Sequence, residues 1–276
     1  MVSTISETNC TNETLNLFMS KVLLVLEYEG TRYSGFQLQQ ESTQTIQGCI
    51  ENAIFMLTNE RTRLIGASRT DAGVHAEGQV ATFQTNTSFS SDKYRSGLNH
   101  YLPSDITVRK AAFVNDHFNP RRDARSRTYR YSILNRHAPS AIHRNFTLHW
   151  RSKLNVSLMQ KAAGNLVGEH DMLSFISNPT DEITTIRKFS CANVWEENEM
   201  VIIEMEANGF LPQQIRRTTG ALIRVGEEKL SIEEFAQMIQ CPRRGAAPWS
   251  LPSNGLSLIK VNYCHERLDE NIYENV

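Results

Sequence analysis

Arg69, Asp71 and His75 could all do chemistry, and they stand close together in a glycine-containing stretch, residues 66–83. An ionised carboxylate can attack an electron-poor carbon or act as a general base. The nearby Arg69 could keep Asp71 ionised, or it could bind a phosphate. Aspartates in such loops often only accept backbone hydrogen bonds. The residues alone therefore leave Asp71 open between a catalytic nucleophile and a turn residue.

A basic stretch with interleaved aromatic residues, residues 121–131, contains five arginines and one acid. Tyr129 and Tyr131 alternate with polar neighbours, which predicts that they share one face of a strand. Tyrosines beside arginines can stack on a nucleobase while the guanidinium groups neutralise phosphates. Two half-buried sheet tyrosines would give the same pattern. We favour RNA, although the formal net charge of the chain is only −1, because local charge steers a polyanion.

Arg216 and Arg217 fall in the first turns of a predicted, otherwise apolar helix. A cation there opposes the helix macrodipole, which indicates a role other than helix stability. Pairing with a carboxylate such as Asp71, reached across a cleft, would explain Arg216. Arg217 is compatible with an ordinary surface arginine.

The composition is that of a globular protein, with 40% hydrophobic and 21% charged residues among 276. No apolar run approaches the roughly 20 residues that cross a bilayer. The five cysteines form no CxxC pair, which favours a reducing compartment such as the cytoplasm. Neither His75 nor His170-Asp171 has partners at a metal-ligand spacing, and no dinucleotide motif is present. We therefore expect neither a metal nor a cofactor.

The periodicity predicts two α+β halves in series, each an antiparallel sheet with helices on one face, and a catalytic cleft between them. The first half, residues 21–115, reads strand, helix, strand, strand, helix, strand, which is the ferredoxin-like (RRM-like) plan. The second half, residues 116–265, repeats that plan loosely. Residues 1–20 are predicted to be a flexible tail, and residues 266–276 an acidic tail. The predicted elements are strands at 21–28, 61–65, 79–84, 105–113, 127–134, 186–194, 200–207 and 255–263, and helices at 45–57, 91–101, 156–167, 212–225 and from 231 to before Pro242.

Several motifs, in order along the chain, together resemble one family. Residues 66–76 (GASRTDAGVHA) closely resemble the signature loop of the tRNA pseudouridine synthases of the A type, the TruA family. Similar family segments are found at 28–37 (YEGTRYSGFQ), 45–48 (TIQG), 98–106 (LNHYLPSDI), 125–131 (RSRTYRY), 168–175 (GEHDMLSF), 209–216 (GFLPQQIR) and 252–258 (PSNGLSL). The resemblance covers about residues 21–263.

The resemblance implies a specific activity. Members isomerise uridine to pseudouridine in the anticodon stem-loop of tRNA, typically at tRNA positions 38 to 40. They act as homodimers without cofactor or metal, and each chain has two ferredoxin-like halves. By position in the motifs, Asp71 would be the nucleophile and Tyr129 would stack on the target base. Arg216 would pair with the catalytic carboxylate, and Arg69 would help to evert the nucleotide. Attack by Asp71 on the ribose, attack on the base and removal of a sugar proton all remain open.

The chain departs from the family pattern at a few positions. Ser68 replaces the more usual Gly, Phe36 replaces Trp, and Thr218-Thr219 and Pro212-Gln-Gln replace more apolar residues. Two alternative functions were weighed. One is a non-catalytic relative that binds tRNA and helps it fold. The other is a carboxylate glycosidase or nucleoside-processing enzyme, which would normally need a second carboxylate beside Asp71.

Overall fold

The computed structural model describes residues 19–40, 43–177 and 184–264, so both predicted tails lie largely outside the described residues. These residues form one mixed sheet and five α-helices. The strands are β1 (Ser20–Tyr28), β2 (Ile65–Gly66), β3 (His75–Thr85), β4 (Ile106–Val114), β5 (Ser126–Asn135), β6 (Leu148–Trp150), β7 (Gly168–Asp171), β8 (Ile186–Glu197), β9 (Met200–Ala207) and β10 (Leu256–Asn262). The helices are α1 (Ile46–Thr58), α2 (Ser91–Tyr101), α3 (Val156–Ala163), α4 (Gln214–Gly226) and α5 (Ile232–Gln240).

The strand order across the sheet is β4-β1-β3-β10-β5-β9-β8-β7, with β2 paired to β3 and β6 paired to β5. The last strand of the described residues, β10, therefore lies in the middle of the sheet. It is antiparallel to β5, and it meets β3 in a short parallel pairing of Ser257 with His75 and Leu258 with Ala76. The periodicity predicts two half-sheets, whereas the structure shows one continuous sheet, with the pairing of β3 and β10 as its central seam.

The first strand shows why the apolar pattern was informative. Its central residues, 22–26, form an unbroken apolar run, and all are essentially inaccessible to solvent. A strand buried on both faces gains from an apolar side chain at every position, whereas a half-exposed strand alternates. β1 lies between β3 and β4, so the strand predicted at 21–28 is confirmed, and it is a strand buried on both faces.

Helix boundaries follow their capping residues. The hydroxyl of Thr45 accepts from the backbone N–H of Gly48 and begins α1. Ser231 and Glu234 form a capping box at the start of α5, with reciprocal hydrogen bonds of 3.0 and 2.7 Å. The predicted helix over 91–101 is confirmed residue for residue as α2. α3 ends earlier than predicted, because the chain tightens into a 3₁₀ turn at Gly164–Leu166.

The strand predicted at 61–65 is wrong for most of its length. Only Ile65–Gly66 pairs with β3. The backbone of Leu64 instead forms hydrogen bonds with side chains of α1: its N–H donates to Glu51 and its carbonyl accepts from Gln47. Conversely, the polar loop was expected to extend past His75, but β3 begins there because β10 supplies a neighbour from the far end of the chain.

Candidate active site

A cleft of about 580 Å³ collects residues that are far apart in the sequence. One wall is the segment 67–74, and the opposite wall is the turn 208–216 that leads into α4. Residues of β5 and of the start of β8 complete it. All four residues singled out for a substrate, Asp71, Tyr129, Arg69 and Arg216, line this cleft.

Asp71 and Arg216 face each other across the cleft. Arg216 Nη1 lies 4.0 Å from Asp71 Oδ2, and the two side chains are 20% and 42% exposed respectively. The Arg216 guanidinium is held from behind, because its Nε donates to the carbonyl of Leu251 at 2.5 Å. Burial raises the pKa of Asp71, whereas Arg216 and a hydrogen bond from the backbone of Gln213 act to lower it. The site thus holds a carboxylate that is partly desolvated yet supported by a cation.

The backbone of the turn before α4 is strained at Gln213. Gln213 adopts φ 58°, the left-handed region that non-glycine residues rarely occupy. No side chain caps the helix there, and the backbone of Gln213 is directed to Asp71 instead. An anionic side chain at a helix N-terminus interacts favourably with its free N–H groups. The strain therefore coincides with the position where a backbone donor meets the carboxylate.

Successive side chains of residues 68–71 alternate between two roles: every second one anchors the loop, and the ones between are accessible from the cleft. Ser68 Oγ hydrogen-bonds to the hydroxyl of Tyr129 at 2.7 Å, and Thr70 Oγ1 bonds to that of Tyr28 at 2.8 Å. The fully buried Gln79 also clamps Ser68 through both backbone groups. With Ser68 and Thr70 held in this way, Arg69 stays exposed and Asp71 half-exposed. These hydrogen bonds anchor the loop immediately before Asp71.

Tyr129 forms part of the cleft from β5. It is 5% exposed, and its ring packs edge-on against Phe210 at 5.3 Å. Burial raises its pKa to about 12, so the hydroxyl stays protonated at neutral pH. Tyr131, expected on the same face, is fully buried and donates to the carbonyl of Pro252. It is not among the residues lining the cleft.

Arg127 is a residue of the cleft that the sequence analysis did not single out. It is 8% exposed and donates to the carbonyls of Ala67, Arg121, Ala124 and Asn208. Burial lowers its pKa. The guanidinium ties the start of the Asp71 loop to the turn before α4, which are the two walls of the site. Arg127 lies two residues before Tyr129 on the same strand, so the sequence already indicated that the two side chains share one face.

The described lining residues include one acid, Asp71, and five arginines, Arg69, Arg121, Arg127, Arg187 and Arg216. Burial, and then the nearby charge of Arg69, lower the pKa of Arg121. Such a cleft attracts a polyanion. Arg130 of the basic stretch does not line the cleft and instead pairs with Glu204 at 2.9 Å.

Two further candidates have structural roles. His75 is buried, and its Nδ1 accepts from the N–H of Gly30 while its Nε2 donates to the carbonyl of Asn145. Burial lowers its pKa, which keeps the ring neutral. Arg217 is partly buried rather than on the surface, and it donates to the carbonyl of Ala247. Neither lines the cleft.

Within the described residues, no group of three His, Cys, Asp or Glu side chains is placed to hold a metal ion. No helix in that part of the chain is long and apolar enough to cross a membrane.

Comparison with known proteins assigns the chain to a family. Residues 24–121 and 162–264 match the family described as "tRNA pseudouridine synthase". The chain is 40% identical over 245 residues to "tRNA pseudouridine synthase A" of Acetivibrio thermocellus, which covers 89% of this chain and 100% of that protein. The proteins of that name from Geobacter sulfurreducens (40%) and Bacillus anthracis ("tRNA pseudouridine synthase A 2", 36%) match with the same coverage. The chain belongs to the tRNA pseudouridine synthase family, a class of isomerases.

Among solved structures, a chain of "Crystal Structure of a Cbf5-Nop10-Gar1 Complex" superposes with a TM-score of 0.31 at 11% identity, covering 74% of this chain and 54% of that chain.

Proposed function

We propose that this protein isomerises uridine to pseudouridine in the anticodon stem-loop of tRNA, at positions 38 to 40, with Asp71 as the nucleophile and without a cofactor. The observation that carries the proposal is the Asp71 carboxylate, half-exposed in an arginine-lined cleft and 4.0 Å from Arg216. The family to which the chain belongs supports the reaction and the substrate class.

The reaction needs no oxidant or reductant. The N1–C1′ glycosidic bond breaks, a C5–C1′ bond forms, and a proton leaves C5 while another is taken up at N1. Asp71 would attack C1′ or the base, or remove a sugar proton, and each route needs an ionised carboxylate. Arg216 favours that ionised form, because its charge opposes the effect of burial on the pKa of Asp71.

The target uridine must leave its stack to reach Asp71. Flipping costs a few kcal/mol, which stacking and phosphate contacts can offset. The buried ring of Tyr129 offers the stacking surface, and its hydroxyl is fixed by Ser68. Arg69, exposed and two residues from Asp71, is positioned to bind the phosphate of the everted nucleotide.

We further propose that the sheet consists of two ferredoxin-like halves, residues 21–115 and 116–265, joined edge to edge. The antiparallel order β4-β1-β3-β2 in the first half corresponds to β10-β5-β9-β8 in the second. The shortness of β2 leaves the start of β3 free to pair with β10. This arrangement would place the cleft between the halves.

We also propose a homodimer in the cytoplasm. The four cysteines of the described residues are all free thiols, as a reducing compartment would favour. Sedimentation equilibrium of the purified chain tests the dimer, because a monomeric mass at micromolar concentration would contradict it.

The activity is tested with unmodified tRNA transcripts. After incubation with protein, carbodiimide-based primer extension should reveal new pseudouridine in the anticodon arm. The matched control is Asp71→Asn, which is nearly isosteric and should bind tRNA without modifying it. Binding by the wild-type protein with no new pseudouridine would favour the non-catalytic alternative. Release of free uracil would favour the glycosidase alternative.

A further inference from the structure

A second basic segment lies outside the cleft. Residues 136–153 contain Arg136, Arg144, Arg151 and Lys153 together with three histidines, and they contain no acid. The surrounding stretch from 124 to 168 also lacks any Asp or Glu, although the whole chain carries a formal charge of −1. The segment follows β5 and includes β6. Its local charge is therefore strongly positive.

The backbone of this segment is anchored beside the Asp71 loop. The side-chain amide of Asn254 donates to the carbonyls of Arg144 and Thr147, and His75 donates to that of Asn145. The neighbour of Asn254, Ser253, lies so close to Gly73 that a Cβ on this glycine would sit 2.4 Å from its Oγ. Residues 253–254 thus contact the Asp71 loop through Ser253 and hold the basic segment through Asn254.

The side chains of the segment are available to a partner. Arg144, Arg151 and Lys153 are exposed, and no carboxylate in the described part of the chain pairs with them. Arg136 differs, because it pairs with Glu199 at 2.7 Å. At the tip of the loop, the apolar side chain of Ile142 is 81% exposed. Three unpaired cations on an ordered backbone are suited to a polyanion.

The segment continues the basic surface past the site. β5 begins near Arg127 and Tyr129 in the cleft and ends at Asn135, whose amide donates to the carbonyls of Trp150 and Ser152. The six residue steps from Tyr129 to Asn135 span about 20 Å of strand. The strand that contributes Arg127 and Tyr129 to the cleft thus leads directly into this segment.

We propose that residues 136–153 bind the phosphate backbone of the same RNA whose target nucleotide enters the cleft, through Arg144, Arg151 and Lys153. The proposal rests on the proposed function for the identity of the RNA. Its physical basis is charge complementarity, because each cation that neutralises a phosphate releases a condensed counterion and makes affinity dependent on salt. Contacts of this kind position the substrate and do not touch the reacting atoms.

The test is the triple variant Arg144→Gln/Arg151→Gln/Lys153→Gln. Filter binding of a labelled tRNA transcript is measured between about 50 and 200 mM salt. Loss of three phosphate contacts should weaken binding roughly tenfold or more and reduce the slope of log K against log salt by about 2. The KM for tRNA should rise while kcat at saturation stays within about twofold, since the chemical groups are untouched.

The matched control is Lys93→Gln/Arg95→Gln/Lys161→Gln, which removes the same charge from exposed positions on α2 and α3. This variant should bind like the wild type. Unchanged affinity and salt slope in the loop variant would overturn the proposal, and so would an equal loss in both variants. A change in oligomeric mass that accompanies the loss of affinity would also overturn it, since the segment would then contact a second protein chain.

The outcomes separate this proposal from the proposed function. Normal pseudouridine formation with unaltered binding by the loop variant refutes the RNA-binding segment alone. A wild-type protein that makes no pseudouridine, yet loses salt-dependent RNA binding in the loop variant, refutes the proposed reaction and supports the segment.

Discussion

At the scale of single residues, two opposing effects act on the pKa of the Asp71 carboxyl group. Burial favours neutral Asp71, whereas Arg216 and the backbone of Gln213 favour the charged form that the proposed reaction needs. A carboxylate that is kept ionised in a partly buried site serves catalysis but lowers the stability of the folded protein. The cost can be measured separately from activity.

We predict that Asp71→Asn raises the stability of the protein at neutral pH. Folding raises the pKa of Asp71, so the ionised carboxylate subtracts from stability as pH rises from the ordinary Asp range through the raised pKa. Asparagine has no such cost. The melting temperature of the variant should exceed that of the wild type at pH 7, and the difference should vanish below about pH 3.9. The exposed Asp116→Asn serves as control, and a gain of the same size there would contradict the explanation.

Two substitutions of Tyr129 separate the contribution of ring stacking from that of the hydrogen bond of its hydroxyl. Tyr129→Phe keeps the ring and loses only the bond to Ser68, at a cost of about 1 kcal/mol of stability. It should retain partial activity. Tyr129→Ala removes the surface on which the base would stack and should reduce kcat/KM by roughly 10- to 100-fold. Equal losses in single-turnover assays of the two variants would count against stacking.

At the scale of elements, the Asp71 loop depends on close backbone approach. Gly73 has φ 77°, and a Cβ there would meet Ser253 Oγ at 2.4 Å. Gly245 has the same φ but open space around it. The two positions therefore separate backbone strain from steric displacement of the loop.

Gly73→Ala and Gly245→Ala should each lose about 1 kcal/mol of stability from the left-handed backbone. Only Gly73→Ala should also lose activity, because the loop must move away from Ser253 and takes Asp71 with it. Chemical denaturation and kcat/KM measured on both proteins check this. Comparable activity in the two variants would show that the loop accommodates the methyl group.

Much at this scale could be predicted from the sequence, because caps and periodicity are local. The ends of α2 and the capping box of Ser231 are examples. Leu64 and His75 were assigned less well, because the partners of their backbones come from α1 and from β10 respectively, distant in the sequence. Asp71 and Arg216 could be proposed as partners from residue type, but the role of Arg127 depends on four carbonyls that only the folded chain brings together.

At the scale of the whole molecule, the two halves that we propose share one sheet through the pairing of β3 with β10. His75 reinforces the seam, because its ring bridges the N–H of Gly30 and the carbonyl of Asn145. Arg127 ties the walls of the cleft together as well. We therefore expect the halves to unfold together.

This expectation can be measured because the three tryptophans, Trp150, Trp195 and Trp249, all lie after residue 116. Tryptophan fluorescence thus reports the second half, whereas far-UV circular dichroism reports both. The two urea transitions should coincide in midpoint, as a single cooperative unit requires. Midpoints that differ beyond error would mean that the first half unfolds independently.

The central position of β10 has a consequence for how the molecule is made. A ribosome releases the first wall of the cleft before the second, and the strand that joins them, β10, emerges after both. A nascent or prematurely terminated chain would carry the acid and the aromatic ring without the strand that sets them side by side. Catalytic competence would then arrive only once β10 has emerged, so that copies truncated before it would hold the reactive groups yet remain inert toward RNA.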